Sequence, residues 1–131
     1  MQHLAILFRT MQLFSHNAHN LAKGSTFFQD HEFLGELYPV YESAYDCIVE
    51  RILGLGGDID LVDTARQAAS GVDMIDATRP FSSVLEAEKL VCSAIEDLIK
   101  TSEMSEGTRQ MLGNLCDESE VRQYKIGRRI K

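Results

Sequence analysis

The chain has 131 residues, 44% of them hydrophobic, which is enough for one compact core, and residues 1–131 are read as a single domain. A formal net charge of -7 and a pI near 5.0 speak against a generally basic nucleic-acid surface and suit a protein that draws in cations. Three cysteines, Cys47, Cys92 and Cys116, stand singly with no CxxC spacing, so they read as reduced packing residues of a cytoplasmic protein, with neither a zinc knuckle nor a disulfide framework.

The opening MQHLAILFRTMQLF lacks a basic leader and is interrupted by Arg9, so it reads as an amphipathic helix rather than a signal peptide. No stretch approaches the roughly 20 apolar residues of a membrane span. The first helix is predicted over residues 2–22, with Leu4, Leu7, Phe8, Met11, Phe14, Ala18 and Leu21 as its inner stripe. His3 and His16 read as surface or packing residues. His19 taken alone would read the same way.

Lys23, Gly24 and Ser25 make a turn that folds the second helix back antiparallel and brings His19 beside His31. Ser25 or Thr26 is the expected cap, with Phe27 and Phe28 as plugs that pin the turn to the bundle. Leu34, Leu37, Tyr38, Tyr41, Ala44, Tyr45, Ile48 and Ile52 then recur at helical spacing until Gly54, Gly56 and Gly57 stop the helix. Within it Pro39 disturbs the carbonyl of Gly35.

Asp46 and Glu50 lie four apart, so both carboxylates project from one face of this helix. His31 points to roughly the same side, but the intervening residues rise about 22 Å, too far for one ion within one subunit. If these groups share a metal, they share it across two copies. A two-fold axis setting the histidine end of one helix against the carboxylate end of the other gives two identical nitrogen and oxygen sites, suited to iron, zinc or manganese. Arg51 is expected to pair with Glu50 or Asp46, orienting a ligand or forming a simple surface ion pair.

The connection 58–79 is too long for a tight hairpin and contains LVDTARQAAS, a short helix of its own. Thr78–Pro80 starts the next long helix, with Val84, Ala87, Val91, Ala94, Ile95 and Leu98 inward and Glu86, Glu88, Glu96 and Asp97 on the solvated face. The last helix is predicted from Thr108 to the end, with Leu112, Leu115 and Ile126 apolar, and Ser119 and Arg122 interrupting. Arg122, Lys125, Arg128, Arg129 and Lys131 make its terminus basic, as a helix C-terminal charge, an interface element or a phosphate patch. The layout is all-α: a four-helix bundle with a short extra helix in the long connection between helices 2 and 3.

HNLAKGSTFFQDH resembles the HWNxxGxxFxxxH segment of the miniferritins, the Dps family, and DCIVERILGLGG resembles their DxxxERxxxLGG. The resemblance runs over nearly the whole chain and implies a ferritin-like fold. It also implies that His19 and His31 are metal ligands from one subunit, with Asp46 and Glu50 supplied by its two-fold mate. Two positions depart from the pattern: Gly35 stands where the family carries an aspartate ligand, and Asn20 where it carries tryptophan. Glu36, Glu32 or the freed Gly35 carbonyl could replace the missing ligand through a kink at Pro39, or the site has lost it. Tyr38, Tyr41 and Tyr45 read as packing, with Tyr45 as an alternative radical quencher in place of the tryptophan.

The resemblance implies iron(II) binding, oxidation by peroxide as a ferroxidase, and storage of ferric mineral in a hollow homo-oligomer, a dodecamer built from two-fold dimers. Removing iron and peroxide together protects DNA. The alternative is a non-enzymatic cage or DNA-associated structural protein with an impaired site, favoured by Gly35 and Asn20. Direct DNA binding is disfavoured by net charge, although the basic C-terminus leaves it open. A helical adaptor without metal requires the ligand spacing to be accidental. Glu-x-x-His pairs, which ordinary ferritins use inside one bundle, do not occur.

Overall fold

The computed structural model describes residues 1–131 as five helices: α1 (Gln2–Leu21), α2 (Phe27–Gly54), α3 (Leu61–Asp73), α4 (Pro80–Thr101) and α5 (Glu106–Ile130). Four long helices pack as two antiparallel pairs, α1 with α2 and α4 with α5, and α3 lies against α1 within the crossover. This is the bundle with one extra helix expected from the sequence.

The local signals that set these elements are visible in their ends. Gly24 takes φ +88°, a left-handed value that a side chain disfavours, and this turns α1 into α2. The Asp60 carboxylate accepts from the Asp63 N–H at 2.9 Å to start α3, and Ser105 Oγ accepts from the Thr108 N–H at 3.2 Å to start α5. Pro80 occupies the first turn of α4, where its missing N–H costs nothing. Pro39 lies inside α2, which nevertheless runs continuously from Phe27 to Gly54.

Leu4, Phe8, Met11, Phe14, Leu34, Leu37, Tyr41, Ile48, Val84, Val91, Ile95, Leu112 and Ile126 fill one core between the four long helices. Each fully buried large side chain contributes about 1.5–3 kcal/mol by leaving water. Two residues expected to point inward, Leu21 of the first helix's stripe and the plug Phe28, do not join it. Leu21 is 71% exposed because it ends α1 beyond the reach of the other helices, and Phe28 is 81% exposed because Phe27 takes the inward position in that turn.

Glu88 is a larger correction: it is 0% exposed rather than part of the solvated face. It lies on the same helical stripe as Val84, Val91 and Ile95, so it points inward. The two residues that interrupt the apolar pattern of α5 serve it. Ser119 Oγ donates to Glu88 Oε2 at 2.5 Å, and Arg122 Nε donates to Oε1 at 2.6 Å. Tyr41 Oη from α2 donates to Oε1 at 2.5 Å. Burial, then the Glu88 charge, pushes the Tyr41 hydroxyl well above its ordinary value, so it stays a donor. Burial alone would lower the Arg122 value, but the bonds to Glu88 outweigh it and raise it.

Candidate metal centre

His19 stands in the last turn of α1 and His31 in the second turn of α2. The turn between them stacks the two imidazoles, with ring centroids 3.8 Å apart and planes 19° from parallel. Each ring is tied to the other helix. His19 Nδ1 lies 2.7 Å from the His31 carbonyl oxygen, and His31 Nδ1 lies 2.9 Å from the His19 carbonyl oxygen.

A carbonyl oxygen only accepts, so both Nδ1 atoms carry the proton and donate. In the neutral rings this leaves both Nε2 atoms as lone pairs. Metal-binding histidines are commonly fixed in this way, through the second nitrogen and a carbonyl. The lone pairs lie in nearly parallel planes, however, and do not yet converge. One ion taking both at a bond of about 2.1 Å requires the rings to splay.

Gly35 explains how His19 fits. A Cβ at this position would lie 2.9 Å from His19 Cε1 and 3.1 Å from Nδ1, so the ring occupies the space a side chain would need. An aspartate cannot stand at 35 while His19 keeps this position. Phe27 closes the other face of His31 at 4.9 Å. His16, read from sequence as a bystander, stacks on Tyr38 at 4.0 Å and lies 6.3 Å from His19. Its place three residues before His19, on the same face of α1, is the signal that could have found it.

Asp46 and Glu50 are exposed on α2 with no hydrogen bond or ion pair in the protomer, and so are Glu32 and Glu36. No three His, Cys, Asp or Glu side chains of one protomer come together in a metal-holding group. Asp46 stands about 22 Å and Glu50 about 28 Å from His31 along the helix, as the rise per residue requires. The histidine pair and the carboxylate pair are therefore apart in the protomer, and each consists of nitrogen or oxygen donors of the kinds that bind divalent metals.

Around the carboxylates one expectation is corrected, that for Arg51, and the packing reading of Tyr45 is favoured over its alternative. Arg51 does not pair with Asp46 or Glu50; its Nη1 donates to Thr108 Oγ1 on α5 at 3.2 Å, because Thr108 lies within reach on the inner side. Tyr45 is 6% exposed and faces Arg9, whose guanidinium sits 3.7 Å from its ring centre, whereas Asp46 faces outward. Adjacent helical residues point about 100° apart, so Tyr45 is a packing residue.

At the bundle end, Arg129 Nη2 donates to Asp30 Oδ2 at 2.9 Å and its guanidinium lies 4.7 Å from the Phe81 ring centre. That arginine of the basic terminus clamps α5 to the start of α2. A largely apolar cleft of about 550 Å³ lies beside it, lined by Phe14, Leu34, Pro80 and Phe81 among others. Neither histidine of the stacked pair lines it. No helix is long and apolar enough to cross a membrane.

A family model described as Ferritin, a ferritin-like domain, matches residues 2–131. Searches of curated proteins and of solved structures found no match.

Proposed function

The chain belongs to the ferritin-like domain family, whose members generally bind iron, and from that premise we propose that it is a Dps-like miniferritin that binds and oxidises iron(II). The reading pairs His19 and His31 of one protomer with the carboxylates of residues 46 and 50 from a two-fold mate. The observation that carries it is the reciprocal Nδ1 to carbonyl bonding of the two histidines, which prepares both Nε2 atoms as ligands.

Iron(II) is the substrate. Two ferrous ions each give one electron to hydrogen peroxide, which takes up two protons and leaves as two waters, so no hydroxyl radical is set free. The imidazoles hold an ion without adding charge, and the carboxylates favour the ferric product. Exposed Asp46 and Glu50 on a chain of net charge -7 favour cation capture. Ferric mineral would collect in a cytoplasmic homododecamer, and DNA is protected by removal of iron and peroxide. Zinc or manganese fits the same donors.

The occupied space at Gly35 favours a second reading, a cage of the same fold whose oxidation is weak because one carboxylate is missing. Ferrous oxidation by peroxide, followed optically, separates the two. Wild type should oxidise iron rapidly, and His31→Ala and Asp46→Ala should lose most of that rate. Equal rates in all three overturn the ferroxidase reading. A monomer by light scattering overturns the shared site.

A further inference from the structure

α4 and α5 each carry one cysteine where they pass one another. Cys92 Sγ lies 3.7 Å from the Cys116 carbonyl oxygen, and Cys116 Sγ lies 3.8 Å from the Cys92 carbonyl oxygen. Each thiol thus spans the gap to the other residue's main chain, which sets the two side chains next to one another. Such reciprocal reach places the two side chains on facing sides of the helix pair, the arrangement from which a disulfide can form. Cys47, on α2, takes no part.

The two sulfurs are not equivalent. Cys92 is buried and accepts a hydrogen bond from Gln123 Nε2 at 3.4 Å. Cys116 is half-buried; burial, then the Cys92 sulfur, pushes its thiol up to about 12. The Gln123 amide that donates to the Cys92 sulfur stabilises negative charge there during attack, so Cys92 is assigned as the attacking sulfur.

We propose that Cys92 and Cys116 form a dithiol that reduces a hydroperoxide and closes to a disulfide between α4 and α5, independently of the metal centre. The Cys92 sulfur attacks a peroxide oxygen, the O–O bond breaks, one water leaves, and a sulfenic acid remains. The Cys116 sulfur then attacks that sulfur. The S–S bond forms, the S–O bond breaks, and the departing hydroxide takes the Cys116 proton to leave as a second water. Two thiols and one hydrogen peroxide become one disulfide and two waters, the two electrons coming from the sulfurs. The oxidised chain has α4 stapled to α5 across a closed loop.

The test uses the full chain, stripped of iron by a chelator and incubated with excess hydrogen peroxide in mildly alkaline buffer. Catalase stops the reaction, and the chain is unfolded and its remaining thiols alkylated. The expected result is alkylation at Cys47 alone, a peptide linking Cys92 to Cys116, and an intact mass lower by two hydrogens before alkylation. Thermal unfolding of the oxidised protein should shift upward by on the order of 5–10 °C. Cys47→Ser should keep the link, and Cys116→Ser should lose both the link and its share of peroxide consumption. Three alkylated cysteines after excess oxidant overturn the proposal, as does a sulfinic acid at Cys92 without a link. A link that requires Cys47 also overturns it. None of these outcomes depends on whether the protein oxidises iron.

Discussion

Replacing Gly35 by alanine should separate metal affinity from stability. The new Cβ would lie 2.9 Å from His19 Cε1 and 3.1 Å from Nδ1, closer than the ring can tolerate. His19 must swing away from α2 and lose its 2.7 Å bond to the His31 carbonyl. That bond is worth about 0.5–1.5 kcal/mol net. Against it, alanine in a helix interior gains about 1 kcal/mol over glycine. The two nearly cancel, because His19 is half-buried and can move toward solvent. Metal affinity has no such compensation, since it depends on a fixed, correctly protonated ring; loss of that fixing typically lowers affinity about 10–100-fold. Anaerobic calorimetric titration with zinc, alongside thermal unfolding of the metal-free protein, measures both quantities. Unchanged zinc affinity in Gly35→Ala would refute the claim that this glycine positions His19. A loss of stability on the order of 3 kcal/mol would show that the ring cannot move as argued.

Gly113→Ala is the matched control: a Cβ there meets nothing within 4 Å, so urea unfolding should show a gain of about 0.5–1 kcal/mol with zinc affinity unchanged. Arg122→Met strands the Glu88 carboxylate in the core and should cost about 3–5 kcal/mol. Adding Glu88→Leu should recover much of that loss, and strictly additive effects in the double-variant cycle would contradict the buried pairing. The Arg129 hydrogen bond holds the Asp30 carboxyl below its ordinary value of 3.8. Its contribution is therefore complete above about pH 4 and disappears as pH falls through the lowered folded value. With side chains 43% and 15% exposed, the pair is worth at most about 1 kcal/mol. Asp30→Asn should accordingly lower the urea midpoint at neutral pH and match wild type in strong acid; an equal deficit at both would exclude the ion pair as its cause.

The sequence by itself determined the helices and most of the core. Apolar residues recurring every three or four positions define a buried stripe, and Gly24 and Pro80 punctuate it for reasons that are local to the backbone. It also brought His19 and His31 together, because a short turn between two helices leaves their ends few ways to pack. Only the tertiary structure decided what depends on a second element coming alongside. Glu88 looked like one of several surface acids until Arg122, Ser119 and Tyr41 arrived from two other helices to satisfy it. Cys92 and Cys116 lie 24 positions apart with no signature between them, and the packing of α5 on α4 makes them neighbours. Gly35 read as an absent ligand, whereas packing shows it as the space into which the His19 ring fits. Periodicity records which side of a helix leaves water. The identity of a partner depends on how two such sides are set against each other, which no single stretch of chain contains.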